Sequence, residues 1–395
     1  MALTDLWINS RTQLEDKHIQ QIIAFAGNGQ LRDGNSASAE LREFLSTIPS
    51  NFLHLYADQC LRDSFNGSGF ALQDLINQAG RRLGFTVEDG RYRGQAGNIG
   101  YDGIWRFPDG HAVIIEVKTT DAYRIDLDTI AEYRKALIRQ GSVQEQSSSM
   151  LIVVGREDTG DLEAQIRGSR HAWDMRLISV DSLMRLMALK EEVEEPRTIR
   201  RIYDILIPRE FTKLDSIVEI IFSTAEEVKH EEHPTEEGDI PEDVLIESKV
   251  TPVSFNAACV ERVQQALHCA LVKRSRASYS SSDGTVALIC AVSRTYVRGD
   301  QQWFWFAFHP HQKEFLEHGQ ESFVAFGCGS ESIVVLIPFG EFSQWLPDMN
   351  ITEREDRYYW HIRIIQQDDR FMLTRKGGIE RIDITRFLLL TQENI

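Results

Sequence analysis

Two carboxylates and one lysine lie close together in this sequence, and their side chains suit the metal-assisted hydrolysis of a phosphodiester bond. The three residues are Asp102, Glu116 and Lys118. A phosphodiester repels hydroxide, so its hydrolysis needs a cation that neutralises the developing charge and lowers the pKa of the attacking water. Mg²⁺ usually binds one or two protein carboxylates together with water and substrate oxygens, and Mn²⁺ is an alternative. The sequence therefore predicts that Asp102 and Glu116 bind the metal and that Lys118 orients the water or stabilises the transition state. The carbonyl of Val117 is a candidate third oxygen ligand.

The turn Pro108-Asp109-Gly110 predicts a β-hairpin that brings the two carboxylates together. Proline presets φ at the first turn position, and glycine tolerates a positive φ at the last. Phe107 would then face His111. In the same register Asp102 lies directly across from Glu116, with Cβ atoms ~4.5–5.5 Å apart.

The strand that carries Glu116 and Lys118 reads as a central strand. The two side chains share one face because the period of a strand is two, and Gly100, opposite Lys118, leaves room for a substrate. The other face is apolar and suits a core: Val113, Ile115 and Val117. The continuous apolar run 113–115 favours a strand covered on both sides over a hairpin with one solvated face.

Segments on both sides of the hairpin predict an α/β core built on a mixed sheet. Residues 69–85 have the pattern of a helix that leads into a strand at Phe85–Glu88. After the hairpin, helices and strands alternate, which favours an α/β layer fold. The predicted elements are a helix at Asp128–Gln140, a strand at Met150–Val154, a helix at Asp161–Arg167, a strand at Arg176–Ser179 and a helix at Asp181–Lys190 with Asp181 as its N-cap.

At Asp102 and at Glu116-Val117-Lys118 the sequence resembles the PD-(D/E)XK nuclease superfamily, and within it the Mrr-like restriction endonucleases. The resemblance covers roughly residues 66–190. It implies a restriction-endonuclease-like core, in which an acidic residue at a strand end and Glu-x-Lys in the next strand form the active site. It further implies a Mg²⁺-dependent endonuclease that cuts DNA in restriction or anti-phage defence. Cutting both strands needs two sites, so a homodimer is expected.

The resemblance is incomplete on the first helix. Many members carry a glutamate there that supports a metal, whereas this chain has Gln73 followed by Asp74. Both residues are candidates for a supporting role. The departure leaves open whether one or two metal ions bind.

Arginines concentrate where nucleic acid would pass the site. Such side chains, together with loop N–H groups, contact phosphates without reading sequence. The candidates are Arg81, Arg82, Arg91 and Arg93 before the hairpin, Arg124 after it, and Arg167, Arg170 and His171 in a loop that contains Gly and Ser. Arg170 and His171 are favoured because their loop should lie beside a strand end. Each residue has the alternative interpretation of an ordinary solvated side chain.

The overall charge is acidic, which at first opposes nucleic-acid binding. The chain has 395 residues, a formal net charge of −17 and a pI near 5.2. Residues 226–249 hold ten acidic residues and two lysines and so contribute −8 of that charge. This segment has the composition of a solvated linker, which leaves a less acidic remainder.

The linker divides the chain into a predicted series of four regions. These are a helical N-terminal segment at 1–65, the nuclease domain at 66–210, a bridge and acidic linker at 211–250 and a separate α+β targeting or sensing domain at 251–395. The N-terminal segment reads as helices at Arg11–Ala26, Ala37–Thr47 and Asn51–Phe65, which could cover the sheet, contact DNA or build a dimer.

From the sequence we expect neither a membrane span nor a signal peptide, and the five cysteines are scattered without a CxxC pair. Scattered thiols suit a reducing cytoplasm better than a disulfide framework or a zinc site. A cytoplasmic protein with no membrane partner is expected.

The C-terminal region predicts a helix at Asn256–Val272 followed by strands in a largely antiparallel sheet. Lys273, Arg274 and Arg276 stand beside Ser and Tyr hydroxyls and form a candidate phosphate-binding loop. The aromatic strands 303–306 and 358–360 could form a stacking cage, although aromatic residues in strands are more often core.

Two alternatives to an autonomous DNA endonuclease stay open. One is an effector nuclease that is silent alone and is activated through the C-terminal domain by a protein or a small molecule. The other is a non-catalytic nucleic-acid-binding protein that retains the nuclease fold; the intact Asp102, Glu116 and Lys118 argue against it.

Overall fold

The computed structural model shows a mixed α/β protein whose residues belong to two compact units, one within Met1–Val228 and the other within Lys229–Ile395. No described helix is long and apolar enough to cross a membrane. The structure describes residues 2–63, 65–93, 99–119, 125–155, 160–194, 196–207, 245–246, 252–298, 301–353 and 358–389.

The first unit is a mixed sheet with helices on both faces. Its helices are α1 (Leu3–Asn9), α2 (Ile19–Phe25), α3 (Ser36–Thr47), α4 (Ser50–Arg62), α5 (Ser68–Leu83), α6 (Leu127–Arg139), α7 (Gly160–Arg167), α8 (Val180–Glu192) and α9 (Pro196–Leu206). Its strands are β1 (Thr86–Asp89), β2 (Gly103–Arg106), β3 (Ala112–Lys118), β4 (Ser148–Val154) and β5 (Met175–Ser179). The strands lie in chain order, antiparallel from β1 to β3 and parallel from β3 to β5. The predicted alternation of helices and strands on a mixed sheet is therefore confirmed.

Strand β3 is covered on both faces, as its apolar run predicts. Val113 and Ile115 are fully buried in a core that they share with α5, α8 and the N-terminal helices. Ile114 is fully buried on the opposite face, in a core formed with α6 and α7. Helices α1 to α4 belong to the first of these cores, so the N-terminal helical segment packs as part of this unit.

Two local predictions in this unit are wrong. The expected helix 11–26 is a 3-10 turn at Arg11–Gln13 followed by α2, because the His18 ring accepts the N–H of Gln20 and starts a new helix. The N-cap of α8 is Ser179, whose hydroxyl accepts the N–H of Ser182 at 3.1 Å. Asp181 instead lies inside the helix and pairs with His54 and Arg185.

The described residues of the second unit form two sheets where the sequence predicted one. Its helices are α10 (Pro252–Leu267), α11 (Pro310–Glu317) and α12 (Phe339–Trp345). Its strands are β6 (Leu245–Ile246), β7 (Val272–Lys273), β8 (Ser278–Ser280), β9 (Val286–Ser293), β10 (Tyr296–Arg298), β11 (Gln301–Phe308), β12 (Glu321–Cys328), β13 (Val334–Pro338), β14 (Asn350–Glu353), β15 (Tyr358–Gln367), β16 (Arg370–Leu373) and β17 (Ile382–Asp383). One sheet has the order β17-β16-β15-β11-β10-β6, with β14 beside β15, and the other has the order β13-β12-β9-β8-β7. The pair β9 and β12 is parallel, because β10, β11 and α11 lie between them in the chain.

Candidate active site

The β2–β3 hairpin has the register that its turn predicts. The N–H of Phe107 donates to the carbonyl of His111 at 2.8 Å, and Gly110 has a φ of 90°. Cross-strand pairs run from Arg106 with Ala112 to Gly103 with Ile115. Only glycine adopts such a positive φ without strain, so the turn sequence fixes which residues of the two strands meet.

Asp102 lies immediately before the first residue of β2 and binds β3 through its backbone and its side chain. Its N–H donates to the carbonyl of Ile115 at 3.0 Å, and its Oδ2 accepts the N–H of Val117 at 2.7 Å. Asp102 therefore contacts β3 on either side of Glu116, at Ile115 through its backbone N–H and at Val117 through its carboxylate. The regular ladder ends at the pair of Gly103 with Ile115. The simple hairpin register predicts that Asp102 pairs with Glu116, and at this position the structure has the contact of the Asp102 side chain with Val117.

The carbonyl of Asp102 is held from the other direction. It accepts the side-chain amides of Gln73 at 3.0 Å and of Asn77 at 2.9 Å, both on α5, and the N–H of Gly90 at 3.0 Å. Gln73, a predicted supporting residue, thus contacts the backbone of Asp102. Asn77 was not among the residues predicted from the sequence. The signal available was its spacing of four residues from Gln73, which places two amides on one side of a helix.

Glu116 and Lys118 form an ion pair on the same face of β3. Lys118 Nζ lies 2.5 Å from Glu116 Oε1, and the Glu116 side chain is 10% exposed whereas that of Lys118 is 37% exposed. The sequence predicts Gly100 opposite Lys118, but the β2–β3 ladder ends before Gly100, at the pair of Gly103 with Ile115. A Cβ atom on Gly100 would lie 3.2 Å from the hydroxyl of Tyr133 on α6, and Tyr133 also acts electrostatically on Lys118. Tyr133 therefore lies beside the lysine, and it was not among the residues predicted from the sequence.

The electrostatics of this cluster favour a bound cation. Burial and the charge of Glu116 together raise the pKa of Asp102 to about 7, against the opposing effects of the Val117 N–H and Lys118. Burial also raises the pKa of Glu116, although Lys118 opposes this. Burial alone would lower the pKa of Lys118, but the nearby carboxylates outweigh it and the pKa is raised. Two largely desolvated carboxylates share one ammonium, so a divalent cation would relieve their repulsion.

The oxygen atoms at this place suit Mg²⁺ or Mn²⁺. In a strand the N–H and C=O of one residue point to the same side. The Val117 carbonyl therefore points, like the Val117 N–H, toward Asp102, which lies just before the first residue of β2. The Lys118 carbonyl points the other way and accepts the N–H of Gly155 at 2.9 Å. Among the described residues no group of three or more His, Cys, Asp or Glu side chains is arranged to hold a metal. A hard cation held by two carboxylates, one carbonyl and water is compatible with both observations.

Asp74 points its carboxylate to a different set of partners. It accepts a hydrogen bond from Arg42 Nε at 2.8 Å and another from the hydroxyl of Tyr92. Burial raises the pKa of Asp74 to about 6, although Arg42 and Tyr92 act to lower it. In this geometry Asp74 links α5 to the N-terminal helix α3 and to the segment before the hairpin.

The arginines before the hairpin differ in exposure. Arg82 is 1% exposed and pairs with Glu191 at 3.5 Å, so the expectation that it contacts nucleic acid is wrong. Arg81 pairs with Asp89 at 2.7 Å. Arg91 and Arg93 are exposed, and the Arg93 guanidinium lies 6.0 Å from the ring centre of Phe70. Arg124 lies outside the described residues.

The predicted basic loop after α7 is tied to acidic side chains. Arg167 pairs with Glu163 at 2.6 Å, and Arg170 pairs with Asp128 at 2.7 Å. The His171 ring lies 2.8 Å from the same Asp128 carboxylate. These contacts border a cavity of about 380 Å³ whose lining includes Asp126, Asp128, Gln165, Ser169, Arg170 and His171.

In the second unit, Arg274 of the predicted phosphate-binding loop donates hydrogen bonds to oxygen atoms of the same segment. Arg274 Nε donates to the Ser280 hydroxyl at 2.8 Å, and its Nη2 donates to the carbonyl of Ser281 at 3.3 Å. Arg274 thus uses the loop's own oxygens. Lys273 and Arg276 are half-buried in the same segment.

The aromatic strand 303–306 is mainly core. Phe304 and Phe306 are buried in the main core of the second unit. Trp303, on the other face, is 4% exposed and stacks on Tyr296 with 4.5 Å between ring centres. The Arg363 guanidinium lies 4.2 Å from the centre of the Trp303 ring. The interpretation of these side chains as core is therefore confirmed.

Neither a family model nor a curated protein matches the chain. The features that point to a function are therefore the geometry around Asp102, Glu116 and Lys118 and the motif that these residues form.

Proposed function

We propose that this protein is a metal-dependent endonuclease of the PD-(D/E)XK type that hydrolyses DNA phosphodiester bonds. The observation that carries the proposal is the junction of Asp102, Glu116 and Lys118 at the end of β3. The Asp102 carboxylate accepts the Val117 N–H at 2.7 Å, and Lys118 Nζ lies 2.5 Å from Glu116. The mixed sheet with helices on both faces supports a restriction-endonuclease-like core.

Each residue has a role that its surroundings support. Asp102, Glu116 and the Val117 carbonyl would hold the cation. When bound, Mg²⁺ supplies positive charge beside the scissile phosphate and lowers the pKa of water. Lys118 keeps its proton because two carboxylates face it, so it can donate hydrogen bonds to the attacking water or to a phosphate oxygen.

The biological setting is proposed on the same motif. Restriction or anti-phage defence in the cytoplasm suits a nuclease of this type, and all five cysteines are free. The second unit would recognise DNA or a trigger, and a homodimer would place one site on each strand. Arg91 and Arg93, both exposed and close in the chain to Gly90 beside Asp102, are the candidate phosphate contacts nearest the site in sequence.

Cleavage of plasmid DNA by the purified full chain tests the proposal. Methylated and unmethylated plasmid and an RNA of similar length would be incubated with Mg²⁺, Mn²⁺ or EDTA. Glu116→Ala and Lys118→Ala should abolish cleavage. The matched controls are Glu132→Ala and Lys135→Ala, which break an exposed ion pair on α6 and should cut like the wild type.

The outcomes separate the alternatives. Cleavage that needs the metal, Glu116 and Lys118 supports the nuclease. Binding of DNA without cleavage under every metal condition would favour a non-catalytic binding protein. Cleavage that appears only after a cell extract is added would favour an activator-dependent effector.

A further inference from the structure

The backbone of Asp102 is held more tightly than a strand end requires. A carbonyl oxygen has two lone pairs, yet that of Asp102 accepts hydrogen bonds from Gln73, Asn77 and Gly90 at 2.9 to 3.0 Å. Its N–H and one carboxylate oxygen are also engaged, by Ile115 and Val117. The direction of the Asp102 side chain is therefore set when the chain folds.

Asn77 is itself held in one orientation. The indole Nε1 of Trp105 donates to Asn77 Oδ1 at 3.1 Å. Indole is a donor only, so it binds the oxygen of the amide and leaves the NH₂ group to face Asp102. Both side chains are buried, with Asn77 1% exposed and Trp105 fully buried.

Two glycines make this approach possible. A Cβ atom on Gly103 would lie 2.2 Å from Asn77 Oδ1, and a Cβ atom on Gly80 would lie 2.5 Å from the indole of Trp105. Real Cβ atoms do not come so close, so α5 can approach β2 only where both positions lack a side chain. The contact between Asn77 and Asp102 is thus built into the packing of a helix on a strand.

We propose that Asn77 is a positioning residue of the metal site, which acts through the Asp102 carbonyl to direct the Asp102 carboxylate. This inference rests on the proposed function, because it assigns Asp102 to the cation. A carboxylate that is oriented during folding binds a cation without the cost of ordering it later. Partners that orient a metal ligand typically contribute 10–100-fold to metal affinity, and a contact through the backbone should lie near the lower figure, at about tenfold.

Direct measurement of Mn²⁺ binding to the full chain tests this role without reference to cleavage. Free Mn²⁺ would be followed by its electron paramagnetic resonance signal during a titration of wild type, Asn77→Ala, Gln73→Met and Glu116→Ala. We expect the Kd for Mn²⁺ to rise about tenfold in Asn77→Ala and by a smaller factor in Gln73→Met, and binding at this site to be lost in Glu116→Ala.

A neighbouring buried residue controls for simple loss of stability. Ile76→Val removes one methylene from a fully buried side chain on the same helix and should leave Mn²⁺ affinity unchanged while it lowers the unfolding midpoint. If Asn77→Ala does not fold, Gln73→Met decides the question.

The failures are distinguishable. Wild-type Mn²⁺ affinity in both Asn77→Ala and Gln73→Met, with loss in Glu116→Ala, would overturn the positioning role and leave the nuclease proposal standing. A wild-type chain that neither binds Mn²⁺ nor cuts DNA would overturn both.

Discussion

The Asp102 carboxylate accepts the backbone N–H of Val117 at 2.7 Å, so a side chain takes a position on β3 that a strand carbonyl would fill in a longer β2. This contact holds a buried carboxylate beside Glu116. Two carboxylates held together in a low dielectric repel each other, and Lys118 offsets only part of this repulsion. The folded chain therefore carries an electrostatic cost at this site.

Removal of one charge should stabilise the fold. Asp102→Asn retains an oxygen for the Val117 N–H but no longer repels Glu116. We expect the free energy of unfolding at pH 8 to rise by about 1–2 kcal/mol, as is typical when an acidic functional site is neutralised. Urea unfolding without metal measures this change. Added Mn²⁺ should raise the unfolding midpoint of the wild type and not that of Asp102→Asn, and an equal metal effect on both proteins would contradict the assignment.

Substitutions of Lys118 and of Glu116 should affect cleavage and Mn²⁺ binding differently. Lys118→Met removes the ammonium and keeps both carboxylates, so we expect cleavage to fall by at least about 10²-fold while Mn²⁺ still binds. Glu116→Gln removes a ligand charge and should lose both cleavage and Mn²⁺ binding. Single-turnover cleavage and a Mn²⁺ titration of each variant separate the roles. Loss of Mn²⁺ binding in Lys118→Met would show that the lysine supports the metal and not the reaction.

The hairpin and its register could be predicted because they depend on local chemistry. Pro108 and Gly110 specify the turn, and the alternation along β3 then specifies which side chains share a face with Glu116. The burial of β3 on both faces followed from its continuous apolar run. These features need no knowledge of distant packing.

Contacts that depend on tertiary packing could not be predicted. In the sequence Asn77 is one polar residue of an amphipathic helix, and only the approach of α5 to Gly103 brings its amide to Asp102. Arg82 looked like its neighbour Arg81, but the position of α8 buries the first against Glu191 and leaves the second at the surface. The helix break before α2 likewise depends on a side-chain contact, because the His18 side chain caps α2.

The two adjacent arginines of α5 should contribute very different amounts to the stability of the fold. Arg82→Ala leaves Glu191 buried without the Arg82 guanidinium and removes a hydrogen bond to the carbonyl of Ile48. We expect it to lower the free energy of unfolding by about 3–5 kcal/mol, whereas Arg81→Ala, which breaks a partly exposed pair with Asp89, should cost about 0–1 kcal/mol.

A double variant checks the explanation for Arg82. If the cost comes from an uncompensated charge, Arg82→Met combined with Glu191→Leu should be less destabilising than Arg82→Met alone. Urea unfolding midpoints of the wild type, the two single variants Arg82→Met and Glu191→Leu, and the double variant decide this. Equal costs in the single and the double variant would mean that Arg82 stabilises the unit through packing and not through its charge.

Asp74 should make the stability of the first unit fall as the pH rises through weak acid. Its carboxyl is buried, and burial raises its pKa from 3.8 to about 6 despite Arg42 and Tyr92. A raised pKa in the folded state means that the folded protein binds this proton more tightly than the unfolded chain does. The resulting stabilisation is complete below about pH 4 and is lost as the pH rises through about 6.

Asp74→Asn cannot titrate, so the free energy of unfolding of the wild type should fall relative to this variant by up to about 3 kcal/mol between pH 4 and 7. Urea unfolding midpoints at intervals of half a pH unit measure the difference, with the exposed Asp16→Asn as the control that follows the wild type. A constant difference between wild type and Asp74→Asn across this range would show that Arg42 keeps the carboxylate charged throughout, and the opposite slope would show that the ion pair outweighs burial.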